Sequence, residues 1–358
     1  MNGEPELAVR DLVVRFAVGR RTVHAVNGVS FDVERGESVG LAGESGSGKS
    51  ATSLAVMRLL PKPAGRVEGG EIRFEGTDLL DLPEADMRRL RGRDISMVLQ
   101  DPQSALNPVI TISEQIEEAI RAHDDSGRRA AVQKAEELLR LVEIPRPREQ
   151  LERYPHQLSG GMRQRVMIAI ALALHPKVLI ADEPTTALDV TVQAQVLELL
   201  KKLTAEMGTA IVLITHDLGI LAGMTSRISV MYAGFVVEAA PTERLFAEPR
   251  HPYTVGLLRS IPRRGERGGA LTPIEGNPPD LERPPVGCPF APRCAWRVEV
   301  CWREMPPLVP HEDPSHLLAC HNPVQTGEAQ AGRPLRASFR PAPPPTEVEL
   351  SSDGAGRP

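Results

Sequence analysis

The eight residues from Gly43 to Ser50, GESGSGKS, constrain this chain more than any other stretch of it. A G-x-x-x-x-G-K-[ST] run cradles phosphate when it joins a buried strand to a helix. Ser38 to Ala42 reads as that strand, and the helix that follows is expected to end by Pro61. The glycines let backbone N–H groups turn inward around phosphate oxygens, and the helix N-terminus adds partial positive charge. Gly43, Glu44, Ser45, Gly46, Ser47, Gly48, Lys49 and Ser50 are therefore the expected cradle of a nucleoside triphosphate. Lys49 would place a point charge at the β- and γ-phosphates, and the Ser50 hydroxyl would ligate Mg²⁺.

Such a loop needs a parallel α/β sheet around it, and the rest of the sequence supplies one. Residues 95–99, 178–182, 210–215 and 227–232 are short apolar runs rich in Ile and Val. Upstream, Leu12, Val14 and Phe16 alternate along one probable strand, and Val29, Phe31 and Val33 along the next. Between about 105 and 175 strand signals vanish, and Ile112–Ala122 and Arg128–Val142 show helical spacing. This predicts a nucleotide-binding domain over 1–240 with a helical insert at about 105–175. Proline then becomes frequent. The pattern suggests a connecting extension over 241–287, a loop-rich module over 288–322 and a disordered tail over 323–358.

Two further motifs carry chemistry. Val178 to Glu183 reads VLIADE, a buried strand with two carboxylates at its C-terminal end, where open α/β sheets bind their ligands. Asp182 suits a Mg²⁺ contact and Glu183 a general base for the attacking water. Leu158 to Met162 reads LSGGM at the start of a helix. Ser159 is placed as its N-cap, and Gly160 and Gly161 leave the helix end uncovered. An ordinary cap followed by two helix-weakening glycines is the plainer explanation. A second anion site is the functional one. One chain with two phosphate-binding helix ends and one lysine-bearing loop requires a partner.

GESGSGKS, Gln100, LSGGM, VLIADE, TALD at 186–189 and His216, in this order, resemble the ATP-binding subunits of ABC transporters. The resemblance implies an α/β P-loop NTPase (RecA-like) ABC nucleotide-binding domain with an antiparallel β subdomain. It implies that Gln100 senses Mg²⁺ and the water, that Asp189 crosses a dimer interface, and that His216 contacts the γ-phosphate. Phe16 stands where the family carries an aromatic that stacks on adenine. Residues 246–262, FAEPRHPYTVGLLRSIP, and the cysteine-bearing tail are similar to dipeptide/oligopeptide importers, a group that includes nickel importers.

The partners implied are a second ABC ATPase subunit (a related chain in preference to a second copy), two integral-membrane permease subunits and, indirectly, an extracytoplasmic solute-binding protein. The expected location is peripheral, on the cytoplasmic face of the inner membrane. Composition is consistent with this. The longest apolar run, Val166–Leu174, is nine residues, whereas a spanning helix needs roughly 20. Met1–Arg10 has no apolar stretch of the kind signal peptides carry. Net charge is −5 and aromatic content 3%, which speaks against a nucleic-acid partner. A soluble ABC ATPase of translation or DNA repair is the rival reading, although one phosphate loop and no heptad run fit it poorly. An exporter motor is a third.

The four cysteines, Cys288, Cys294, Cys301 and Cys320, fall within 33 residues. In a cytosolic setting such clustering suggests metal rather than disulfides. No C-x-x-C knuckle occurs, so a [4Fe–4S] cluster is expected ahead of zinc, and reduced free thiols are the plain alternative. His311, His316 and His321 keep a mixed zinc site open. Because the module is distant in sequence from every nucleotide motif, a structural rather than catalytic role is expected for the metal.

Overall fold

The protein is described from a computed structural model, which describes residues 4–124, 127–186, 188–260 and 274–325. Thus most of the expected disordered tail, 326–358, lies outside the described residues, as does 261–273 of the expected connection.

The chain opens with β1 (Leu7–Val18), β2 (Arg21–Val33), β3 (Ser38–Ala42) and α1 (Lys49–Val56). Next come β4 (Gly65–Phe74), β5 (Thr77–Asp78), α2 (Glu84–Leu90) and β6 (Ile95–Val98). A helical stretch then holds α3 (Pro102–Ala105), α4 (Ile112–Arg121), α5 (Arg128–Leu141), α6 (Pro147–Leu151) and α7 (Gly160–Leu172). β7 (Val178–Asp182), α8 (Val190–Met207), β8 (Ala210–Thr215), α9 (Leu218–Met224) and β9 (Arg227–Tyr232) complete the α/β alternation. Beyond it lie β10 (Phe235–Pro241), α10 (Thr242–Ala247), α11 (Pro252–Arg259), β11 (Val309–His311) and β12 (Asp313–Leu318).

Among the described residues these strands form two sheets. The antiparallel one has the order β2-β1-β4-β5. Its β1 shows why a simple alternation is incomplete. Leu7 and Val9 are odd-numbered, Leu12 and Val14 even-numbered, yet all four are fully buried. A register shift between Val9 and Leu12, with Asp11 at φ 46°, resets the phase so that both halves face the core.

The larger sheet has the order β11-β12-β10-β9-β3-β8-β7-β6. β9, β3, β8, β7 and β6 run parallel, with Val39 opposite Val212 and Asp182 opposite Ile214. Every residue of β7 and β8 is buried. Helices cover one face of this sheet and the antiparallel sheet part of the other, which is why its strands read as unbroken apolar runs. In α7, Val166, Ile168, Ala169 and Leu172 are fully buried; each of the larger side chains contributes about 1.5–3 kcal/mol.

Three features differ from expectation. α1 ends at Val56 rather than near Pro61, because Arg58 adopts φ 51°, which a helix cannot continue. β4 was not expected: GRVEGGEIRF carries three glycines and alternates charge on its open face. The stretch read as a connection contains α10 and α11, and the cysteine-bearing stretch adds β11 and β12 to the main sheet instead of standing apart.

Candidate active site

Parallel strands end on one edge of their sheet, and that edge gathers the motifs. β3 runs into Gly43–Ser50, β7 into Asp182 and Glu183, β8 into Thr215 and His216, and β6 leads toward Gln100. Residues more than a hundred positions apart thus meet without any long-range motif of their own.

Backbone geometry explains the glycines of the phosphate loop. Gly43 lies at φ +150°, and a Cβ there would sit 2.2 Å from the Met231 carbonyl oxygen. At Gly48, φ is +103° and a Cβ would sit 2.4 Å from the Ala25 carbonyl oxygen. Neither position admits a side chain. Lys49 is 4% exposed, and its Nζ donates to the carbonyls of Gly43 at 2.7 Å and Glu44 at 2.9 Å. Burial lowers its pKa, while the carboxylates of Glu183, Asp182 and Glu44 oppose that shift.

Ser50 Oγ donates to Asp182 Oδ1 at 3.1 Å, and Ser53 Oγ to Asp182 Oδ2 at 3.3 Å. Burial raises the Asp182 pKa, and the Glu183 charge adds to the rise, against these hydroxyl donors. A buried carboxylate whose charged form is made costly by burial, set beside a hydroxyl, suits a divalent cation. Ser50 and Asp182 therefore fit the Mg²⁺ role expected of them.

Glu183 gathers three polar groups. Gln100 Nε2 and Thr186 Oγ1 each donate to its Oε2 at 3.0 Å, and His216 Nδ1 lies 3.4 Å from Oε1. Its own N–H donates to the Ile214 carbonyl at 2.9 Å, and its φ is 45°, a left-handed conformation that non-glycine residues adopt at a cost. The strained turn aims the carboxylate away from the sheet and toward Gln100 and His216. His216 is largely exposed, whereas the Glu183 side chain is mostly covered.

The other expected residues stand at separate points of the domain. Ser159 caps α7, its Oγ accepting from Met162 N–H at 3.3 Å. A Cβ at Gly161 would meet Val192 Cγ1 at 2.6 Å, and one at Gly160 would touch Leu188 Cδ2 at 3.6 Å. Gly161 is thus a close-packing position against α8 as well as part of an open helix end. Asp189 caps α8 by accepting from Val192 N–H at 3.0 Å. Phe16 pairs with Val23 and Gly65, and its ring lies over Gly65 in the antiparallel sheet.

Glu44 also bonds beyond the phosphate loop. Its carboxylate turns to Arg293, which donates to Oε2 at 2.6 Å and Oε1 at 3.0 Å. Its N–H donates to Tyr253 Oη at 2.7 Å. The C-terminal module, distant in sequence from the nucleotide motifs, thus touches one of them: Arg293 lies 249 residues from Glu44 in sequence and in direct contact in space. Sequence reasoning also missed Ser53 and Thr186. Ser53 sits one helical turn after Ser50, and Thr186 opens the TALD stretch, so spacing carried a signal for both. None existed for Arg293.

Cys288, Cys294, Cys301 and Cys320 are free thiols. Burial pushes Cys288 up to about 11 and Cys320 up to about 12, and raises Cys294 further, with neighbouring thiols contributing to each. Among the described residues, no three His, Cys, Asp or Glu side chains form a group that could hold a metal ion, so geometry lends the expected metal centre no support. The histidines are engaged elsewhere. His316 lies 2.8 Å from Glu238 with both side chains fully buried, and His321 Nε2 lies 3.0 Å from the Glu304 carbonyl.

Comparison with known proteins places this geometry. Residues 26–186 match the ABC transporter family, and residues 237–301 match the oligopeptide/dipeptide transporter C-terminal region. The dipeptide transport ATP-binding protein DppD of Bacillus subtilis (strain 168) is 50% identical over 317 residues, covering 88% of this chain and 94% of its own length. The oligopeptide transport ATP-binding protein OppD of Salmonella typhimurium (strain LT2) is 47% identical over 319 residues, covering 89% and 94%. Among solved structures, the dimeric post-hydrolysis state of the ATP-binding cassette MJ0796 bound to ADP and Pi is 29% identical, with a TM-score of 0.59, over 66% of this chain and 98% of that one. Identity near 50% over almost nine-tenths of the chain, running on through the C-terminal region, shows that the chain belongs to the ATP-binding subunits of the dipeptide/oligopeptide branch of ABC transporters.

Proposed function

We propose that this chain is the ATP-hydrolysing motor of a peptide importer. The observation that carries the catalytic part is the Glu183 carboxylate, held by Gln100, Thr186 and His216 beside the Ser50–Asp182 pair and the buried Lys49. Lys49 keeps a positive charge at the mouth of the loop. Glu183 orients the attacking water and accepts its proton, Gln100 and Thr186 fix the carboxylate, and His216 faces the γ-phosphate. Mg²⁺, held by Ser50 and Asp182 with Gln100 nearby, would neutralise charge on the β- and γ-phosphates. Ser159, Gly160 and Gly161 serve the nucleotide of a second ATP-binding subunit, and Asp189 lies at that junction. Phe16 serves the adenine. Support for pairing comes from the matched cassette, which is dimeric.

Peptide cargo is supported by relatives named for dipeptide and oligopeptide transport and by the matching C-terminal region. That region also disfavours a non-transport ATPase. Among the described residues no helix is long and apolar enough to cross a membrane, so translocation would fall to two permease subunits with this chain docked on their cytoplasmic side. We further propose that Cys288, Cys294, Cys301 and Cys320 hold a [4Fe–4S] cluster; the support is four free cysteines within 33 residues of one another in sequence.

The test is ATP-driven dipeptide uptake into proteoliposomes carrying the assembled transporter. Glu183→Gln should leave nucleotide binding intact and cut both hydrolysis and uptake by about 10²–10⁴-fold, the usual loss of a positioned base. Parental rates in that variant would refute the assignment.

A further inference from the structure

The HPYT stretch at 251–254 and the residues around Cys294 are not used by the catalytic reading, yet both reach the phosphate loop. His251 caps α11 by accepting from Tyr253 N–H at 3.1 Å, which fixes the first turn of that helix. Tyr253 is fully buried, and its hydroxyl accepts the Glu44 N–H. From the other side comes Arg293, at the end of the short turn Ala291–Arg293. Its side chain is 4% exposed, and its fork spans both Glu44 oxygens, the Tyr232 hydroxyl at 3.3 Å and the carbonyls of Ile274 and Glu275. Phe290 closes the arrangement by packing against Tyr232 and Tyr253, with ring centroids 5.2 and 5.4 Å away.

Glu44 is the meeting point. Its carboxylate is held by Arg293, its N–H by Tyr253, and its carbonyl accepts from Lys49 Nζ. Three of its polar groups thus join the C-terminal elements to the lysine of the cradle through a single residue. We propose that Arg293 and Tyr253 are positioning residues for Mg-ATP: acting through Glu44, they set the loop conformation in which Lys49 and the loop N–H groups receive the phosphates. The inference rests on the reading of Gly43–Ser50 as the ATP cradle. A bidentate pair with a nearly buried guanidinium has a fixed geometry, unlike an exposed ion pair. Small displacements of groups that orient substrate are costly, so loosening this clamp changes nucleotide affinity more than it changes the chemical step.

The experiment uses the full chain assembled with its permease. Nucleotide Kd is measured with a fluorescent ATP analogue, and KM and kcat for Mg-ATP are measured for Arg293→Gln, Glu44→Gln, Tyr253→Phe and the Arg293→Gln/Glu44→Gln double variant. The expected result is a rise of about tenfold in Kd and KM with kcat within about twofold of the parent. The double variant should be no worse than the worse single one, because both break the same pair. Unchanged Kd and KM in folded Arg293→Gln and Tyr253→Phe chains, or losses that add in the double variant, would overturn the proposal. If Arg293→Gln does not fold, Tyr253→Phe decides alone, since it removes one hydroxyl and keeps the ring packing. Glu183→Gln runs alongside. Its hydrolysing at the parental rate would count against the ATPase site itself, whereas an inactive Glu183→Gln beside normal Arg293 and Tyr253 variants would sink this inference only.

Discussion

Replacing Gly161 by alanine adds one methyl group at the point where α7 meets α8. The new Cβ would lie 2.6 Å from Val192 Cγ1. Carbon atoms in comfortable contact are about 3.5–4.0 Å apart, so roughly 1 Å must be found. Val192 cannot easily rotate away, because a β-branched side chain in a helix has essentially one χ1 well and leaving it costs about 0.5–1.5 kcal/mol. The alternative is to move the start of α7, which Ser159 caps. Overpacking of this kind costs about 1–3 kcal/mol, whereas alanine over glycine returns at most about 1 kcal/mol of helix propensity. A net loss of about 1–2 kcal/mol is expected, read as a fall of several degrees in Tm. Because the same shift moves Ser159 and Gly160, kcat of the assembled motor should drop about tenfold or more. The decisive variant is Val192→Ala. In that background Gly161→Ala should be neutral or stabilising, since the clashing methyl is gone. A Gly161→Ala chain as stable as the parent, or an equal penalty with and without Val192, would refute the packing account.

Mixing Lys49→Ala and Ser159→Arg chains should restore part of the ATPase rate if two copies of this chain pair, since one composite site per mixed dimer stays intact; if the partner is a related chain, recovery should appear only when the two substitutions are split between the two proteins. His251 is fully buried, and burial holds its pKa at about 4 against an ordinary 6.5, with the Glu238 carboxylate opposing the shift. Its folded pKa is depressed, so its contribution to stability is complete above pH 6.5 and is lost as pH falls toward 4, by about 3 kcal/mol. Urea midpoints at pH 7 and 4.5 should show this loss, and His251→Asn, which keeps a cap acceptor, should flatten it. Anaerobic purification should yield a brown chain with about four irons, lost in Cys294→Ser; one zinc, or no metal, would replace or remove the cluster.

The sequence revealed those parts of the site that lie next to each other in the chain. GESGSGKS and VLIADE each bring their strand with them, so loop, lysine and carboxylates could be placed on a parallel sheet from residue order alone. Ser159 was legible as a helix cap for the same local reason and does cap α7, whereas the cap that Asp189 forms on α8 was not read from the sequence. What stayed hidden depends on contacts between distant segments. β4 has one buried face, and its glycines dilute the alternation that marks a strand. The packing role of Gly161 depends on a valine 31 positions later, on another helix. The link from Arg293 to Glu44 has no signature, because an arginine after an alanine and a proline is ordinary in a loop-rich segment. The same blindness made sequence distance look like spatial distance for the whole C-terminal module.

The pairing of β12 with β10 joins Leu318 to Glu238 across 80 residues, and β10 is itself hydrogen-bonded to β9. Until residue 318 has left the ribosome, the main sheet stops at β10, with a row of unpaired N–H and C=O groups that invites pairing with another chain. Synthesis of this protein therefore passes through an interval in which all the nucleotide motifs have been made while one sheet border is still bare. A nonsense or frameshift lesion anywhere between about residues 245 and 312 would freeze the molecule at that stage. It would leave every ATP-binding motif in place and yield a chain prone to stick to its own copies, which chaperones and proteases, rather than the transporter, would receive.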